Sequence, residues 1–237
     1  MAITPLTLSE RRAYQRTTLD FTTVLFDVDG TLVNSNGAHT LSWQQALAEH
    51  GKPVSIDAVR RLIGMGGDKL LPRLSGIEEK SSLGQAVIAP KKTLFAAHLP
   101  ALEPTRGARA LLEYLRNRGV KIVVATSAGD DEVAALLARA QVEDLFQTRA
   151  SKDDAARSKP EPDIVHAALS RADANVDAAV MVGDTPYDIE AANRAGIPAI
   201  ALRCGGFWTD LDFAKALAIR DDPFDLQNHW QVLVAQK

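Results

Sequence analysis

The sequence has little of several features that mark particular classes of protein. It contains one cysteine, Cys204, so no internal disulfide can form and an oxidising compartment is not indicated. It contains no uninterrupted apolar run long enough to span a bilayer, and residues 1–12 (MAITPLTLSERR) do not have the pattern of a secretory signal. These absences predict a cytoplasmic protein that has no membrane partner.

The chain also lacks an excess of basic residues. It has 27 basic and 30 acidic residues, a formal net charge of -3 and no long basic run, so a nucleic-acid partner has no electrostatic support. Hydrophobic residues make up 46% of the chain and charged residues 24%, which are the proportions of an ordinary globular protein. Nothing in the sequence decides between a monomer and a homodimer.

Four short apolar runs predict strands of a parallel sheet. They are continuous rather than alternating, which suits strands that are buried on both faces. Helical patterns lie between them, such as the stripe of Leu111, Leu112 and Leu115 that stops before Gly119. This alternation predicts an α/β fold with a Rossmann-like, doubly wound parallel sheet. The runs are residues 23–26, 120–125, 179–182 and 197–202, and residues 146–150 predict a further, weaker strand.

One long segment, residues 36–104, interrupts this alternation. It shows helical patterns, including a predicted helix over residues 91–99, but no convincing strand, and it is too long for a loop. We therefore expect a small α-helical cap domain inserted into the α/β core. The core would comprise residues 22–35 and 105–237, with residues 1–21 as a polar N-terminal extension.

Polar side chains stand where the predicted strands end. Asp27 and Asp29 follow the first strand, Thr126 follows the second, and Asp184 follows the run over residues 179–182. In an open parallel sheet, ligands bind beyond the carboxyl ends of the strands, so these residues should meet in one crevice. Lys159 stands just before a predicted helix and can reach the same place.

This set of side chains has the chemistry of a phosphate site. Several carboxylates in one crevice repel each other unless a cation lies among them, and oxygen donors without His or Cys favour Mg²⁺. Thr126 can donate to a phosphate oxygen, and Lys159 can neutralise its charge. One carboxylate can attack phosphorus while a second acts as general acid and then base. The set therefore predicts phosphoryl transfer.

Four motifs then resemble those of the haloacid dehalogenase superfamily, in its helical-capped phosphatase branch (the phosphoglycolate phosphatase and β-phosphoglucomutase-like members). They are DVDGT at residues 27–31, Thr126, Lys159-Pro160 and GDTPYD at residues 183–188, and their order and spacing agree. The resemblance covers nearly the whole chain after about residue 22. It implies an α/β core with a helical cap and a Mg²⁺-dependent phosphatase of a small phosphorylated metabolite.

The resemblance also implies a role for each residue. Asp27 would be the nucleophile and a metal ligand, and Asp29 would be the general acid and base, with its backbone carbonyl reaching the metal. Thr126 and Lys159 would hold the phosphoryl group. Asp184 would bind Mg²⁺, and Asp188 would support the metal shell. Further candidates for contact with the substrate are Ser127, His39, Gly67 and Lys69.

Alternatives to a phosphatase remain open at this point. Asp29 argues against a dehalogenase or a phosphonatase, because those relatives differ at that position. Residues 39–43 resemble phosphosugar mutases, but residues 63–67 (IGMGG) lack the arginine with which mutases usually hold a second phosphate. The GDxxxD form at residues 183–188 is more usual in phosphatases. A catalytically silent binding protein is disfavoured by the intact set of motifs.

Overall fold

A computed structural model describes residues 21–146 and 148–234. Of the predicted N-terminal extension, all but Phe21 lies outside the described residues. The centre of the molecule is a six-stranded sheet in the order β3-β2-β1-β4-β5-β6, and every neighbouring pair is parallel. This confirms the predicted doubly wound α/β class. The strands are Thr23–Phe26 (β1), Lys121–Ala125 (β2), Thr148–Ala150 (β3), Ala179–Gly183 (β4), Ala199–Leu202 (β5) and Ala218–Arg220 (β6).

Helices connect the strands and cover both faces of the sheet. No helix in the described ranges combines the length and hydropathy needed to cross a membrane. The helices are Asn36–Glu49 (α1), Ile56–Arg60 (α2), Gly67–Ser75 (α3), Ser82–His98 (α4), Ala108–Arg116 (α5), Asp130–Arg139 (α6), Asp163–Arg171 (α7), Pro186–Arg194 (α8) and Pro223–Val234 (α9).

The first strand is buried on both faces, as its continuous apolar run predicts. Val24 and Phe26 point into a core that helices α5, α6 and α9 complete. Leu25 points to the opposite face, where α7 and α8 contribute side chains such as Ile164 and Ile189. All four residues of β1 are buried, which places the end of this strand deep in the molecule.

Helices α1 to α4 have an apolar cluster of their own. Trp43, Leu47, Val59, Leu71 and Val87 are buried in it. The described residues of segment 36–104 contribute no strand to the sheet. The helices of this segment therefore bury their apolar faces mainly against one another, beside the α/β core rather than within it.

The segment is attached to the core by two adjacent linkers. On the way out, the Asn34 N–H donates to the Glu103 carbonyl at 2.9 Å. On the way back, the Thr105 N–H donates to the Leu32 carbonyl at 3.0 Å. The two linkers are thus bonded to each other at the point where the chain leaves and re-enters the core.

The structure differs from the predicted helix over residues 91–99 in where that helix begins. Helix α4 begins at Ser82, well before the predicted start at Lys91, and Pro90 lies inside it. The Ser81 side chain accepts a hydrogen bond from the Gly84 N–H at 3.0 Å and so caps the helix at its true start. Burial of Val87 on one side of the proline and of Phe95 on the other stabilises the helix across it.

The site is positioned by the reversal of strand order between β1 and β4. From β1 the chain adds strands in one direction, and from β4 it adds them in the other. Such a switch point leaves a crevice at the carboxyl ends of the strands. Phe26 pairs with Val182 in the register, and the Asp27 N–H donates to the Val182 carbonyl at 3.0 Å. Asp27 therefore lies at the base of this crevice.

Candidate active site

A buried lysine joins two carboxylates at the base of the crevice. Lys159 Nζ lies 2.7 Å from Asp27 Oδ1 and 2.7 Å from Asp188 Oδ1, and the residue is 1% exposed. Burial by itself lowers the pKa of Lys159, but Asp188 and Asp27 outweigh it and raise that pKa above its usual value. The lysine is therefore charged, and it fixes the position of Asp27.

Asp184 follows β4 and comes to the same place. Its carboxylate accepts hydrogen bonds from Thr31 Oγ1 at 3.0 Å and from Asn36 Nδ2 at 2.8 Å. Burial raises the pKa of Asp184 well above its usual value, and the charges of Asp188 and Asp27 raise it further. These two hydrogen bonds fix the orientation of the carboxylate without compensating its charge.

Two glycines leave room for the Asp184 carboxylate. A Cβ atom on Gly30 would overlap the carboxylate and the Asn36 amide, and a Cβ atom on Gly205 would overlap the same carboxylate. Gly30 also has a φ of +73°, which other residues rarely adopt. At both glycines the backbone thus lies closer to the Asp184 carboxylate than it could if the residue carried a side chain.

The three acidic residues fit a divalent cation. One oxygen from each of Asp27, Asp184 and Asp188 lies within 4.8 Å of the others. Burial raises the pKa of Asp27 to about 7, and the charges of Asp188 and Asp29 add to this although Lys159 opposes it. One ammonium group does not offset three buried carboxylates. A hard cation that takes oxygen ligands would do so, and the donors here are oxygen atoms.

Asp29 faces a different part of the site. Its carboxylate accepts a hydrogen bond from Ser35 Oγ, and its Oδ1 atom lies 2.9 Å from His39 Nε2. Burial works to raise the pKa of Asp29, but the charge and hydrogen bond of His39 and the hydrogen bond of Ser35 bring it below its usual value. Asp27 and Asp29 therefore have pKa values shifted in opposite directions. The predicted contact of the Asp29 carbonyl with the metal stays a prediction.

Thr126 and Ser127 follow β2 and bring hydroxyl groups beside Asp27. Thr126 Oγ1 accepts a hydrogen bond from the Ala128 N–H at 3.2 Å, and Ser127 Oγ is buried without a partner in the described part of the chain. Both residues line a cavity of about 80 Å³ together with Asp27 and Asp29. A buried hydroxyl without a partner is costly, so this cavity is suited to a small polar group that accepts hydrogen bonds.

The residues of segment 36–104 that were predicted to contact the substrate lie in two different places. His39 lines the small cavity and stacks on Phe95, with 3.9 Å between the ring centroids. Gly67 lines the same cavity at the start of α3. Lys69 instead forms an ion pair with Glu161 of the core at 3.0 Å, and it does not line either cavity of the described site. Its predicted contact with substrate stays a prediction.

Two charged residues of the site were not identified from the sequence. Lys91 of α4 and Glu132 of α6 line both the small cavity and an adjoining one of about 600 Å³. Lys91 Nζ lies 3.5 Å from Glu132 Oε2. Each is a single charged residue on a helix, and no local pattern relates one to the other. Only the placement of α4 and α6 on the same cavity shows that they are partners.

The comparison with known proteins agrees with this geometry. Residues 24–202 match the haloacid dehalogenase-like hydrolase family, and the chain belongs to that family. It is 31% identical to a phosphoglycolate phosphatase of Rhodospirillum rubrum, over 84% of this chain and 86% of that protein. It is 30% identical to a phosphorylated carbohydrates phosphatase of Thermotoga maritima, over 75% and 82% of the two chains.

A solved structure shows the same fold. A hydrolase from Pseudomonas syringae superposes with a TM-score of 0.84 at 28% identity, covering 89% of this chain and 98% of that one. The predicted family and the predicted class of hydrolase are thereby confirmed.

Proposed function

We propose that this protein is a Mg²⁺-dependent phosphatase of small phosphorylated metabolites that works through an aspartyl-phosphate on Asp27. The observation that carries the proposal is the buried cluster in which Asp27 lies beside Lys159 and within ligand distance of Asp184 and Asp188. The phosphatases among its relatives support the same reaction.

In the first step, an Asp27 carboxylate oxygen attacks phosphorus and the bond from phosphorus to the leaving oxygen breaks. Thr126 and Ser127 donate hydrogen bonds to the phosphoryl oxygens, and Lys159 offsets their charge. Asp29 gives a proton to the leaving oxygen. An incoming dianionic phosphoryl group disfavours negative charge on Asp29, so Asp29 takes up this proton as the substrate binds.

In the second step, a water molecule attacks the phosphorus atom of the aspartyl-phosphate. Asp29, now ionised, accepts a proton from this water, and the bond from phosphorus to Asp27 breaks. Inorganic phosphate leaves, Asp27 is again a carboxylate, and Asp29 releases to solvent a proton equivalent to the one it took up as the substrate bound, so both carboxyl groups return to their starting states. A magnesium ion held by Asp27, Asp184 and Asp188 would offset their mutual repulsion, keep Asp27 ionised and neutralise charge on the phosphoryl oxygens.

The helices of residues 36–104 act in this proposal as a cap over a core of residues 22–35 and 105–237. His39 reaches Asp29, Lys69 pairs with Glu161, and the Gly66 N–H donates to Ser158 Oγ at 3.1 Å. These contacts cover the cavity and exclude bulk water from the attack on phosphorus. A covered cavity limits the size of the substrate. Small metabolites are therefore substrates, and phosphoproteins are not.

The proposal is tested by running the reaction in oxygen-18 water. We expect a panel of phosphorylated metabolites with Mg²⁺ to yield inorganic phosphate that carries the label, and we expect a chelator to stop the reaction. An isomerised phosphosugar with little free phosphate would instead establish a mutase. Absence of turnover with every metabolite and with an aryl phosphate would indicate a binding protein.

A further inference from the structure

The larger cavity begins where the leaving group of a substrate must lie. It shares Trp43, Lys91, Ser127 and Glu132 with the small cavity that contains Asp27 and Asp29. The leaving oxygen must lie against Asp29, since Asp29 protonates it. The rest of the leaving group therefore extends from Asp29 into the space of about 600 Å³, a volume typical of small-molecule sites.

Glu132 is the next acceptor along this path. One of its carboxylate oxygens lies within 4.8 Å of an oxygen of Asp29, and its Oε1 atom is 4.0 Å from His39 Nε2. The Glu132 side chain is 21% exposed, so part of it remains open to the cavity. Asp29 and Glu132 are thus spaced to contact two neighbouring oxygen atoms of one leaving group.

Lys91 supplies the matching donor. The residue is 7% exposed, and its ammonium lies 4.9 Å from the Phe95 ring centroid and 5.6 Å from that of Trp43. Its distance of 3.5 Å from Glu132 Oε2 is at the limit of a hydrogen bond. An ammonium has three N–H donors, so this arrangement leaves Lys91 able to donate to a group in the cavity.

A hydroxyl group uses both partners at once. Its oxygen accepts from Lys91, and its hydrogen is donated to Glu132. A carboxylate would also attract Lys91, but it would be repelled by Glu132. The walls of the larger cavity add to this repulsion, because they carry five acidic and three basic side chains and one of those bases, Lys152, is paired with Glu79.

We propose that Lys91 and Glu132 form a donor–acceptor pair that recognises a hydroxyl group next to the phosphate ester. The pair selects phosphate esters of polyols and sugars over phosphate esters of short carboxylic acids. This inference rests on the proposed phosphatase function and gives its leaving group a chemical class.

Two substrates of equal length test the pair. 2-Hydroxyethyl phosphate carries a hydroxyl where phosphoglycolate carries a carboxylate, and p-nitrophenyl phosphate carries neither group. We expect kcat/KM of the unaltered protein to be about tenfold or more higher for the hydroxyl compound than for the carboxylate compound. A preference for phosphoglycolate would overturn the inference and leave the phosphatase function intact if all three esters are hydrolysed.

Glu132→Gln tests the acceptor with little change of shape. It should lower kcat/KM for 2-hydroxyethyl phosphate about tenfold and raise it for phosphoglycolate, and any change with p-nitrophenyl phosphate should be smaller than either. Glu49→Gln, an exposed acid on α1, is the matched control and should change none of the three. Equal changes on all three substrates would show that Glu132 has no part in selectivity.

Lys91→Met tests the donor and gives a second pattern. It should lower kcat/KM for 2-hydroxyethyl phosphate and for phosphoglycolate alike, because both groups accept from the ammonium, and it should lower kcat/KM for p-nitrophenyl phosphate much less. Loss of all three activities with an unchanged melting temperature would overturn the inference. Failure of the unaltered protein to hydrolyse any of the three esters would overturn the phosphatase function itself, and the inference with it.

Discussion

Two groups of charged residues meet at the candidate site, and they are held in different ways. In the core, Asp27, Lys159 and Asp188 are almost fully buried, with Lys159 Nζ 2.7 Å from each of the two carboxylates. Next to this group, Lys91 of α4 and Glu132 of α6 approach each other only to 3.5 Å. The tight group suits a reaction that is the same for every substrate. The looser group leaves hydrogen-bonding capacity for the part of the substrate that varies.

The sharpest test of the tight group is Asp27→Asn. We expect turnover to fall by about 10⁴-fold or more, because an amide does not attack phosphorus at a useful rate. The fold should persist, since Lys159 keeps Asp188 as a partner and one of three repelling charges is removed. Activity and melting temperature are measured together, with Asp57→Asn on the exposed face of α2 as control. A folded variant with most of its activity would disprove the role of Asp27.

Asp29→Ala tests the residue that lies between the two groups. We expect the rate to fall about a hundredfold with alkyl phosphates, in keeping with the usual contribution of general acid–base catalysis. The initial burst of p-nitrophenol from p-nitrophenyl phosphate should fall much less, because that leaving group needs no proton. Burst kinetics with both kinds of ester measure the difference. Equal losses in the bond-breaking step would assign Asp29 a structural role.

The pH dependence of stability tests the crowding of the three acids. Burial raises the pKa of Asp27 to about 7 and that of Asp184 in the same direction. Such groups stabilise the metal-free fold below their unfolded pKa of about 4, and the contribution of Asp27 is lost as the pH rises through about 7. We therefore expect the melting temperature in a chelator to fall between pH 6 and pH 8.

Mg²⁺ should then raise the melting temperature more at pH 8 than at pH 6, because more of the carboxylates are ionised and uncompensated at the higher pH. Thermal scans with a chelator and with Mg²⁺ at each pH measure both effects. An equal shift at the two pH values, or none, would argue against a cation held by Asp27, Asp184 and Asp188.

The smallest effect is expected where segment 36–104 meets the α/β core. Lys69 of α3 forms an ion pair with Glu161, which lies outside segment 36–104, and both side chains are partly exposed. Such a pair contributes up to about 1 kcal/mol, so Lys69→Ala should change kcat/KM by about fivefold or less. Lys80→Ala, at another exposed position of the same segment, is the control and should change nothing. A large loss with Lys69→Ala would mean that Lys69 contacts the substrate itself.

The same contrast explains what the sequence could predict. Asp27, Thr126 and Asp184 follow buried apolar runs, and parallel strands bring their carboxyl ends to one edge whatever the details of packing. Lys91 and Glu132 obey no such rule. They are far apart in the chain, and each has the pattern of a solvated charge on a helix until α4 and α6 are placed beside each other.

Strand β6, at the edge of the sheet, could not be predicted from the sequence either. Strand β6 has three residues, all of them only half-buried, so it lacks the continuous apolar run that marks β1 and β4. Helix α9, which packs beside it, was not predicted either. A short strand at the edge of a sheet takes its conformation from the strand with which it pairs, so its own residues show little of a strand pattern.

The two glycines beside Asp184 set a limit on how far this sequence can vary. In a library that replaces each glycine with every other residue, Gly30 and Gly205 should accept none, although neither takes part in the chemistry, because any side chain would displace the Asp184 carboxylate. Gly37, in α1, has nothing within 4 Å of where a Cβ would lie, and alanine there should be tolerated. At Gly30 and Gly205 the sequence is therefore restricted by lack of space rather than by a chemical role of the residue.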